Sequence, residues 1–322
     1  MGVAPLAPQP AGRPAVVVVG DVMVDVVVHP LGPFNRGSDT RSRVAVTPGG
    51  SAANQAVALA AAGVQTHLVG LVGDDEFGRS AARALATAGV RAHLQICPGQ
   101  RTGVVVALVD ASGERSMLTD RGANLCMDKA TLEAGLASSG LVGSGLVSSG
   151  PTDTPRHLHL SGYELLDEAT RPAGLAALEL ASSAGMTRSV DPCSAGPLAT
   201  VGPSAFLAWT EGVEWCCANL AEGQALTGAR EPAEVLGRLR LHFREVALTL
   251  GADGAIFSGP GTGLLHCPAE RAVVADTTGA GDAFTGTFLA RRLLGEAPEP
   301  ALRAALAAAA RVVTTPGARP WG

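Results

Sequence analysis

One glycine-rich stretch near the C-terminus constrains the fold more than any other part of the chain. Residues 275–284 have the sequence ADTTGAGDAF, and the apolar residues 272–275 predict that a β-strand ends there. From residue 283 to 294 apolar side chains recur at helical spacing, which predicts a helix. Gly279 and Gly281 therefore lie where a strand passes into a helix.

The turn between these two elements has the chemistry of an anion site. Glycine lets the backbone approach a ligand closely, and the first N–H groups of a helix are unpaired. The N–H groups of Gly279, Ala280 and Gly281 are therefore expected to stabilise a phosphate in transfer. Asp282 would repel a ground-state phosphate but suits a general base that accepts a proton from an attacking hydroxyl. An Asp that only caps the helix is the structural alternative.

Two stretches near the N-terminus also carry candidate site residues. The apolar residues 15–19 predict a buried parallel strand, and Asp25 stands alone in the apolar run that follows. A buried carboxylate there must be hydrogen-bonded, whether in a structural role or by sugar hydroxyls. In residues 48–57 (PGGSAANQAV) two glycines open a helix, and Asn54 lies one turn further on. Asn54 can present both a donor and an acceptor to the space at the helix mouth.

Composition sets the class of protein. The chain has 322 residues, of which 47% are hydrophobic and only 3% aromatic, so we expect a core of small aliphatic side chains on a sheet. The net charge of −5 gives no reason to expect a nucleic-acid partner. No apolar run is long enough to span a membrane. The proline-rich residues 1–14 are expected to be a disordered lead-in without a signal peptide, and the protein to be cytoplasmic. The six scattered cysteines are expected to be reduced.

The C-terminal stretch resembles the signature of the PfkB (ribokinase-like) carbohydrate kinases, Asp-Thr-x-Gly/Ala-Ala-Gly-Asp. Residues 48–57 resemble the N-terminal signature of the same family. Three further motifs follow the family's order: an Asp-Pro turn at residues 191–192, NLAE at 219–222 and TLGADG at 249–254. The resemblance therefore extends from about residue 16 to residue 317.

The resemblance implies an α/β fold of three layers, α/β/α, with a mostly parallel central sheet and a small β-sheet lid. Residues 15–25, 48–99 and 120–318 would form the main domain, and residues 26–47 and 100–119 the discontinuous lid. The segments 102–109 and 115–119 flank a turn-rich insert and predict a hairpin within this lid. Residues 137–155 are rich in Ser and Gly and are expected to form a surface excursion without a functional role.

The implied activity is transfer of the ATP γ-phosphoryl group to a primary hydroxyl of a ribose- or hexose-like carbohydrate, with Asp282 as general base. The implied substrate contacts are Asp25, Gly49, Gly50, Ser51, Asn54 and Asp282. The implied nucleotide contacts are Asn219, Thr249, Gly251, Gly254 and Gly281. Ser51 and Met23 differ from the Lys and Asn of ribokinase, so ribose itself is not implied.

The resemblance also implies metal ions. Glu222 would hold Mg²⁺, through water, near the ATP phosphates. The structural alternative is that the Glu222 carboxylate only stabilises the N-terminus of a helix. Asp276, Thr278 and Gly317 are the implied ligands of a monovalent cation such as K⁺. His157 and His159 share one face of a strand, but no third ligand is near in sequence, so a metal is not expected there.

Several alternatives stay open. A sugar-acid kinase of the 2-keto-3-deoxygluconate type or a phosphosugar kinase would need a cation for its substrate, and Arg36, Arg41, Arg43, Arg101 and Arg121 are available. A nucleoside kinase would favour an aromatic stacking partner, and the lid offers only Phe34. A non-catalytic sugar- or nucleotide-sensing protein is the reading from another class. The exposed edges of the lid also make a homodimer plausible.

Overall fold

The computed structural model describes residues 13–109, 115–141, 156–274 and 276–314. Several predicted features lie outside these residues. They are most of the lead-in, the tip of the predicted hairpin at 110–114, Ala275, residues 142–155 of the Ser/Gly-rich stretch, and Gly317.

Thirteen strands and eleven α-helices are found among the described residues. The strands are β1 (Ala15–Val19), β2 (Met23–Pro30), β3 (Ser42–Gly49), β4 (Gln65–Val72), β5 (Arg91–Ile96), β6 (Gly103–Val109), β7 (Arg115–Asp120), β8 (Arg156–Ser161), β9 (Thr187–Asp191), β10 (Trp215–Asn219), β11 (Glu245–Thr249), β12 (Ala255–Gly259) and β13 (Thr262–Cys267). The helices are α1 (Ser51–Ala61), α2 (Glu76–Thr87), α3 (Lys129–Ser139), α4 (Tyr163–Leu166), α5 (Arg171–Ser183), α6 (Ala195–Val201), α7 (Pro203–Trp209), α8 (Leu220–Thr227), α9 (Pro232–Leu239), α10 (Ala280–Leu293) and α11 (Pro298–Val313).

The main sheet has nine strands in the order β13-β12-β11-β10-β9-β8-β1-β4-β5. Seven neighbouring strands, from β11 to β5, run parallel, and β12 and β13 add an antiparallel edge. Helices cover both faces, so β1 is buried on both sides: Val17 and Val19 enter one core, and Val16 and Val18 enter the other. A strand buried on both faces becomes a continuous apolar run. The predicted layered α/β fold with a mostly parallel sheet is confirmed.

A separate four-stranded sheet has the order β3-β2-β6-β7. Strand β2 pairs antiparallel with β3 and parallel with β6, and β6 and β7 form the predicted hairpin. Alternate residues along these strands point to opposite faces of the sheet. One face is directed at the carboxyl ends of the main parallel strands.

Helices α1 and α10 lie in close contact because Gly286 has no side chain. A Cβ atom on Gly286 would lie 2.5 Å from the Gln55 carbonyl oxygen and 2.6 Å from the Ala58 Cβ. The small residues of α1 allow the same approach from the other side. This contact brings the first turn of α10, with Asp282, against the first turn of α1.

Substitution of Gly286 by Ala is therefore expected to lower the free energy of unfolding by about 1–3 kcal/mol, because the added methyl overlaps α1. The matched control is Gly237→Ala in α9, where a Cβ would meet no atom within 4 Å. In that control the free energy of unfolding should rise by about 0.5–1 kcal/mol, because Ala has a higher helix propensity than Gly. Urea unfolding of both variants is the measurement, and equal gains in both would contradict a tight α1–α10 contact.

Three sequence predictions are wrong. Residues 272–274 do not form a strand; Val273 is 87% exposed, so its apolar character did not mean pairing. The start of the Ser/Gly-rich stretch belongs to α3, which extends to Ser139. Cys97 and Cys126 form a disulfide, because the end of β5 and the turn after β7 meet across 29 residues of sequence. Of the four free cysteines among the described residues, Cys193 alone is not fully buried.

Candidate active site

A cavity of about 690 Å³ lies between the carboxyl ends of the main parallel strands and the inner face of the small sheet. Ligands of open α/β sheets collect at this end of the strands. Predicted site residues that line the cavity are Asp25, Gly50, Ser51, Asn54, Asn219, Glu222, Thr249, Thr278, Gly279, Gly281 and Asp282. Further lining residues, which were not predicted as site residues, include Asp21, Tyr163, Asp191 and Cys193.

Asp282 is bound by the first turn of α1. Its Oδ1 accepts hydrogen bonds from the Ser51 hydroxyl at 2.7 Å and from Gln55 Nε2 at 3.1 Å. Its Oδ2 accepts from Asn54 Nδ2 at 3.0 Å. Ser51, Asn54 and Gln55 share one side of the helix because they are three and four residues apart. The helix that opens after Gly50 therefore fixes the orientation of the Asp282 carboxylate.

The environment of Asp282 disfavours its charged form. Burial raises the pKa of Asp282 to about 7, and Asp191 and Asp21 add repulsion that the Asn54 and Ser51 hydrogen bonds offset in part. Burial, followed by repulsion from Glu222, likewise raises the pKa of Asp191. Six carboxyl side chains line the cavity: Asp21, Asp25, Asp167, Asp191, Glu222 and Asp282. The cavity is therefore strongly acidic.

The turn before α10 has the geometry of an anion site in part. Gly279 is the N-cap of α10 with φ 75°, a left-handed conformation that favours glycine. A Cβ on Gly281 would meet no atom within 4 Å, so the backbone there faces open space. The N–H of Ala280 donates to the Thr277 carbonyl at 3.3 Å. Of the three predicted donors, Ala280 is thus partly engaged within its own turn.

The two glycines at the mouth of α1 have a packing role. A Cβ on Gly49 would lie 2.3 Å from Asp25 Oδ1, and one on Gly50 would lie 2.6 Å from the Asp21 carbonyl oxygen. Gly49 itself does not line the cavity, whereas the Asp25 carboxylate packed against it does. Asp25 is 7% exposed.

Asp21 is a site residue that the sequence analysis did not identify. Its Oδ2 accepts from the Ser51 N–H at 2.8 Å, and its Oδ1 from the Ser161 hydroxyl at 3.0 Å. It thereby joins the ends of β1 and β8 to the start of α1. Its position directly after Gly20, at the end of a buried strand, is the signal that could have found it.

Asn219 and Glu222 form a capping box at the start of α8. The Asn219 side chain accepts from the Glu222 N–H, and the Glu222 carboxylate accepts from the Asn219 N–H at 2.9 Å and from its Nδ2 at 2.6 Å. Each carboxylate oxygen keeps a further acceptor position, and Glu222 lines the cavity. Burial raises the pKa of Glu222. The capping box therefore leaves Glu222 able to accept a further contact from the cavity.

Only some of the remaining residues that were predicted to contact the nucleotide or a cation line the cavity. Thr249 lines the cavity, but Gly251, the first residue of a short 3₁₀ helix, and Gly254, its C-cap, do not. A Cβ on Gly254 would lie 2.0 Å from the Cys267 carbonyl oxygen, which gives this glycine a packing role. Asp276 accepts from both the N–H and the hydroxyl of Thr278. Among the described residues, no cluster of three or more His, Cys, Asp or Glu side chains has the arrangement of a metal site.

One cation lines the cavity in the described part of the chain, and it is already engaged. Arg121 donates to the Tyr163 carbonyl at 3.0 Å and forms an ion pair with the buried Glu164 at 3.4 Å. Its guanidinium also lies 5.4 Å from the centre of the Tyr163 ring. Burial raises the pKa of Glu164 to about 8 despite this pair. The other candidate arginines, at positions 36, 41, 43 and 101, do not line the cavity.

Tyr163 corrects the expectation about aromatic side chains. Phe34 is 68% exposed and does not line the cavity, whereas Tyr163, from the main sheet side, does. The shortage of aromatic residues in the small sheet thus said little about the cavity as a whole.

Comparison with known proteins identifies the class. A model described as "pfkB family carbohydrate kinase" matches residues 13–321. The chain is 30% identical over 285 residues to a fructokinase of Klebsiella pneumoniae (85% of this chain, 82% of the relative). It is 29% identical over 310 residues to a 2-dehydro-3-deoxygluconokinase of Thermoproteus tenax (94% and 89%). A solved putative ribokinase II from E. coli, in complex with ATP and Mg²⁺, superimposes with a TM-score of 0.80 at 22% identity over 95% of this chain and 94% of that one.

The chain therefore belongs to the PfkB family of carbohydrate kinases. It is a phosphotransferase with an alcohol group as acceptor, and its fold is ribokinase-like. This finding removes the reading as a non-catalytic sensing protein. Among the described helices, none combines the length and the hydropathy that crossing a membrane requires.

Proposed function

We propose that this kinase phosphorylates a primary hydroxyl of a neutral ribose- or hexose-like sugar with MgATP. The observation that carries the proposal is the composition of the cavity wall, in which six carboxyl side chains face one arginine that is already paired with Glu164. Carboxylates accept hydrogen bonds from sugar hydroxyls and repel an acidic acceptor. A sugar acid or a phosphosugar would lack an uncommitted cation among the described lining residues.

Asp282 is the general base in this mechanism. Its Oδ1 has two donors, Ser51 and Gln55, whereas Oδ2 has one, Asn54, among the described residues. Oδ2 is therefore the oxygen that takes the proton of the attacking hydroxyl. The N–H groups at Gly281 and the start of α10 stabilise the charge on the transferred phosphoryl group. Asp25 and Asn54 hold the other hydroxyls of the sugar.

Glu222 suits the metal of an ATP-dependent reaction. Mg²⁺ keeps several waters and is bound through one or two carboxylates together with the substrate phosphates. The absence of a three-ligand cluster in the described residues fits that mode, and each Glu222 oxygen has an acceptor position left. When bound, the ion neutralises charge on the phosphates. Asn219 and Thr249 border the nucleotide in this proposal, and Gly251 and Gly254 shape the adjacent turn.

The turn from Asp276 to Thr278 is the proposed site of a monovalent cation. Its buried carboxylate, 6% exposed, and its carbonyl groups are oxygen ligands of the kind that K⁺ takes. The third proposed ligand, Gly317, lies beyond the described residues. Dependence of turnover on K⁺ at constant ionic strength tests this site.

The small sheet, which contains most of the residues predicted as a lid (26–47 and 100–119), is the proposed lid. Asp25, Val27, Val105 and Ala107 on its inner face line the cavity, so closure over a bound sugar would exclude water that could otherwise hydrolyse ATP. On the outer face the register aligns one apolar row across all four strands: Val46, Val26, Val106 and Leu118. Val46 and Leu118 are more than half exposed, which supports the proposed pairing of two lids in a homodimer.

The pH dependence of turnover follows from the base. Because the pKa of Asp282 is raised to about 7, the carboxylate is protonated and inactive below that pH. We expect kcat/KM to fall about tenfold per pH unit below pH 7 and to level above it. A steady-state pH series at saturating MgATP is the measurement, and a flat profile down to pH 5 would contradict this assignment.

The test of the substrate class is ADP production from MgATP across pentoses, hexoses, sugar acids, phosphosugars and nucleosides, with and without K⁺. Turnover confined to neutral sugars supports the proposal, and a preference for an acid or a phosphosugar would refute it. A nucleoside is the second candidate, since Tyr163 puts an aromatic ring in the cavity wall. A nucleoside acceptor would lose turnover with Tyr163→Leu more than a free sugar would.

A further inference from the structure

A continuous network of polar groups begins at the Asp282 carboxylate and runs along the face of the main sheet that α1 covers. Gln55 Nε2 lies 3.1 Å from Asp282 Oδ1 and 2.8 Å from Asp191 Oδ2, and Gln55 Oε1 lies 2.7 Å from His159 Nε2. The network continues through Ser189 and His157 to Thr187, with distances of 2.6, 2.7 and 2.8 Å. Gln55, His159, Ser189 and His157 are all completely buried.

The Asp282 carboxylate, in the ionised form in which it acts as the base, fixes the direction of the hydrogen bonds in this network. An ionised carboxylate only accepts, so the Gln55 amide turns its NH₂ group to Asp282, with Asp191 on the same side, and its oxygen to His159. The oxygen can only accept, so His159 donates from Nε2. Burial lowers the pKa of His159 to about 3, which leaves the ring neutral and its Nδ1 an acceptor.

The hydrogen bonds at the far end of the network also have fixed directions. The Ser189 hydroxyl must donate to His159 Nδ1, so it accepts from His157 Nε2. Burial, followed by the neighbouring His159, lowers the pKa of His157 to about 3, so its Nδ1 accepts from Thr187. One arrangement of protons satisfies all members, and no amide flip is compatible with it. A fully satisfied buried network of this kind is rigid.

We propose that Gln55 is a positioning residue for the catalytic base, and that the buried His159–Ser189–His157 chain locks its amide so that an N–H always faces Asp282 Oδ1. This inference rests on the proposed role of Asp282. The locked amide keeps Oδ1 occupied and leaves Oδ2 directed at the acceptor hydroxyl. Its role is orientation, because an amide passes no proton along such a chain without changing to its imidic form.

The groups around Asp282 determine how its pKa responds to the loss of Gln55. Asp191, Asp21, Glu222 and Tyr163 surround the base, and each adds repulsion or burial. Donors such as Gln55 favour the ionised form against that environment. Loss of the Gln55 N–H should therefore raise the pKa of Asp282 and lower its ionised fraction near neutral pH, which a loss of packing alone would not do.

The first test is Gln55→Leu. We expect kcat to fall about 10–100-fold, because a small misplacement of the base is costly, with KM for the sugar changed less than about threefold. The acidic limb of the pH profile should move up by about one pH unit. A wild-type pH profile in Gln55→Leu, while Asp282→Asn abolishes turnover, would overturn the positioning role and leave the proposed function intact. Residual turnover in Asp282→Asn equal to wild type would overturn both.

The second test concerns His159, which does not line the cavity. His159→Leu removes the donor to Gln55 Oε1 and should reproduce the pH shift, whereas His159→Gln, which can donate from the same place, should restore the wild-type profile. His67→Leu on β4 is the matched control, since this buried histidine forms hydrogen bonds with His93 and Gln65, which do not belong to the network around Gln55. Equal pH shifts in His67→Leu and His159→Leu would overturn the proposal.

A readout independent of activity is the tautomer of each histidine. In ¹⁵N-labelled protein, we expect His157 and His159 to carry their proton on Nε2 and to stay neutral down to pH 5. A proton on Nδ1 of His159 would contradict the locked amide, whatever the kinetics of the variants. Gln55→Leu should leave His157 unchanged and alter the His159 signals.

Discussion

Replacement of Asp282 by Asn is expected to reduce kcat by about 10²–10⁴-fold, the range for removal of a general base. Asn keeps the shape of the side chain but cannot take the hydroxyl proton. Nothing in the substitution disturbs the proposed sugar contact at Asp25, so KM for the sugar should change little. Initial rates of ADP formation in both proteins give the comparison. A variant with more than about a tenth of wild-type kcat would contradict the assignment of the base.

The same variant has an internal control for folding. The pKa of Asp282 is about 7 in the folded protein and 3.8 for an ordinary aspartate, so the native state holds this proton more tightly. Stability contributed by the group is complete below about pH 4 and is lost as the pH rises towards 7. Asp282→Asn should therefore melt at or above the wild-type temperature at pH 8. The difference in melting temperature between the variant and the wild type should narrow as the pH falls to 5. That result would show that the variant has lost its catalytic base and not its folded structure.

Replacement of Asp25 by Asn is expected to raise KM for the sugar by about 10–100-fold, with a smaller change in kcat. A hydrogen bond to a charged group contributes about 1.5–3 kcal/mol, and Asp25 is the buried carboxylate that β2 contributes to the cavity. Asn preserves the close packing against Gly49.

Asp39→Asn, in the exposed loop between β2 and β3, is the matched control for Asp25→Asn and should leave both constants unchanged. Isothermal titration with the sugar, in the presence of a non-hydrolysable ATP analogue, separates binding from turnover. Unchanged sugar affinity in Asp25→Asn would remove Asp25 from the substrate site.

Much of this fold could be predicted because the signals are local. Strand β1 is a continuous apolar run, and the prediction of residues 15–19 agrees with the structure. The hairpin of β6 and β7 was indicated by a turn-rich insert between two apolar segments. The run at 272–274 has the same apolar character but no partner strand, and sequence alone does not reveal a missing partner.

The site was predictable where a residue acts through its own motif. Asp282, Asn54 and Glu222 occur in motifs and line one cavity. Gln55 and His159 gain their importance from partners 227 and 104 residues away, so no local pattern identifies them. Asp21 also has distant partners, although its position at the end of a buried strand is a local signal. The Cys97–Cys126 pair was missed for the same reason.

The most direct test of the central claim is the identity of the product. Wild-type protein is incubated with MgATP and its preferred neutral sugar, and the phosphorus-containing products are followed by ³¹P NMR. The account predicts one new phosphate monoester on the primary carbon of the sugar, formed in equal amount to ADP and absent with Asp282→Asn. ADP and inorganic phosphate without a sugar phosphate, or an ester formed equally well by Asp282→Asn, would contradict it.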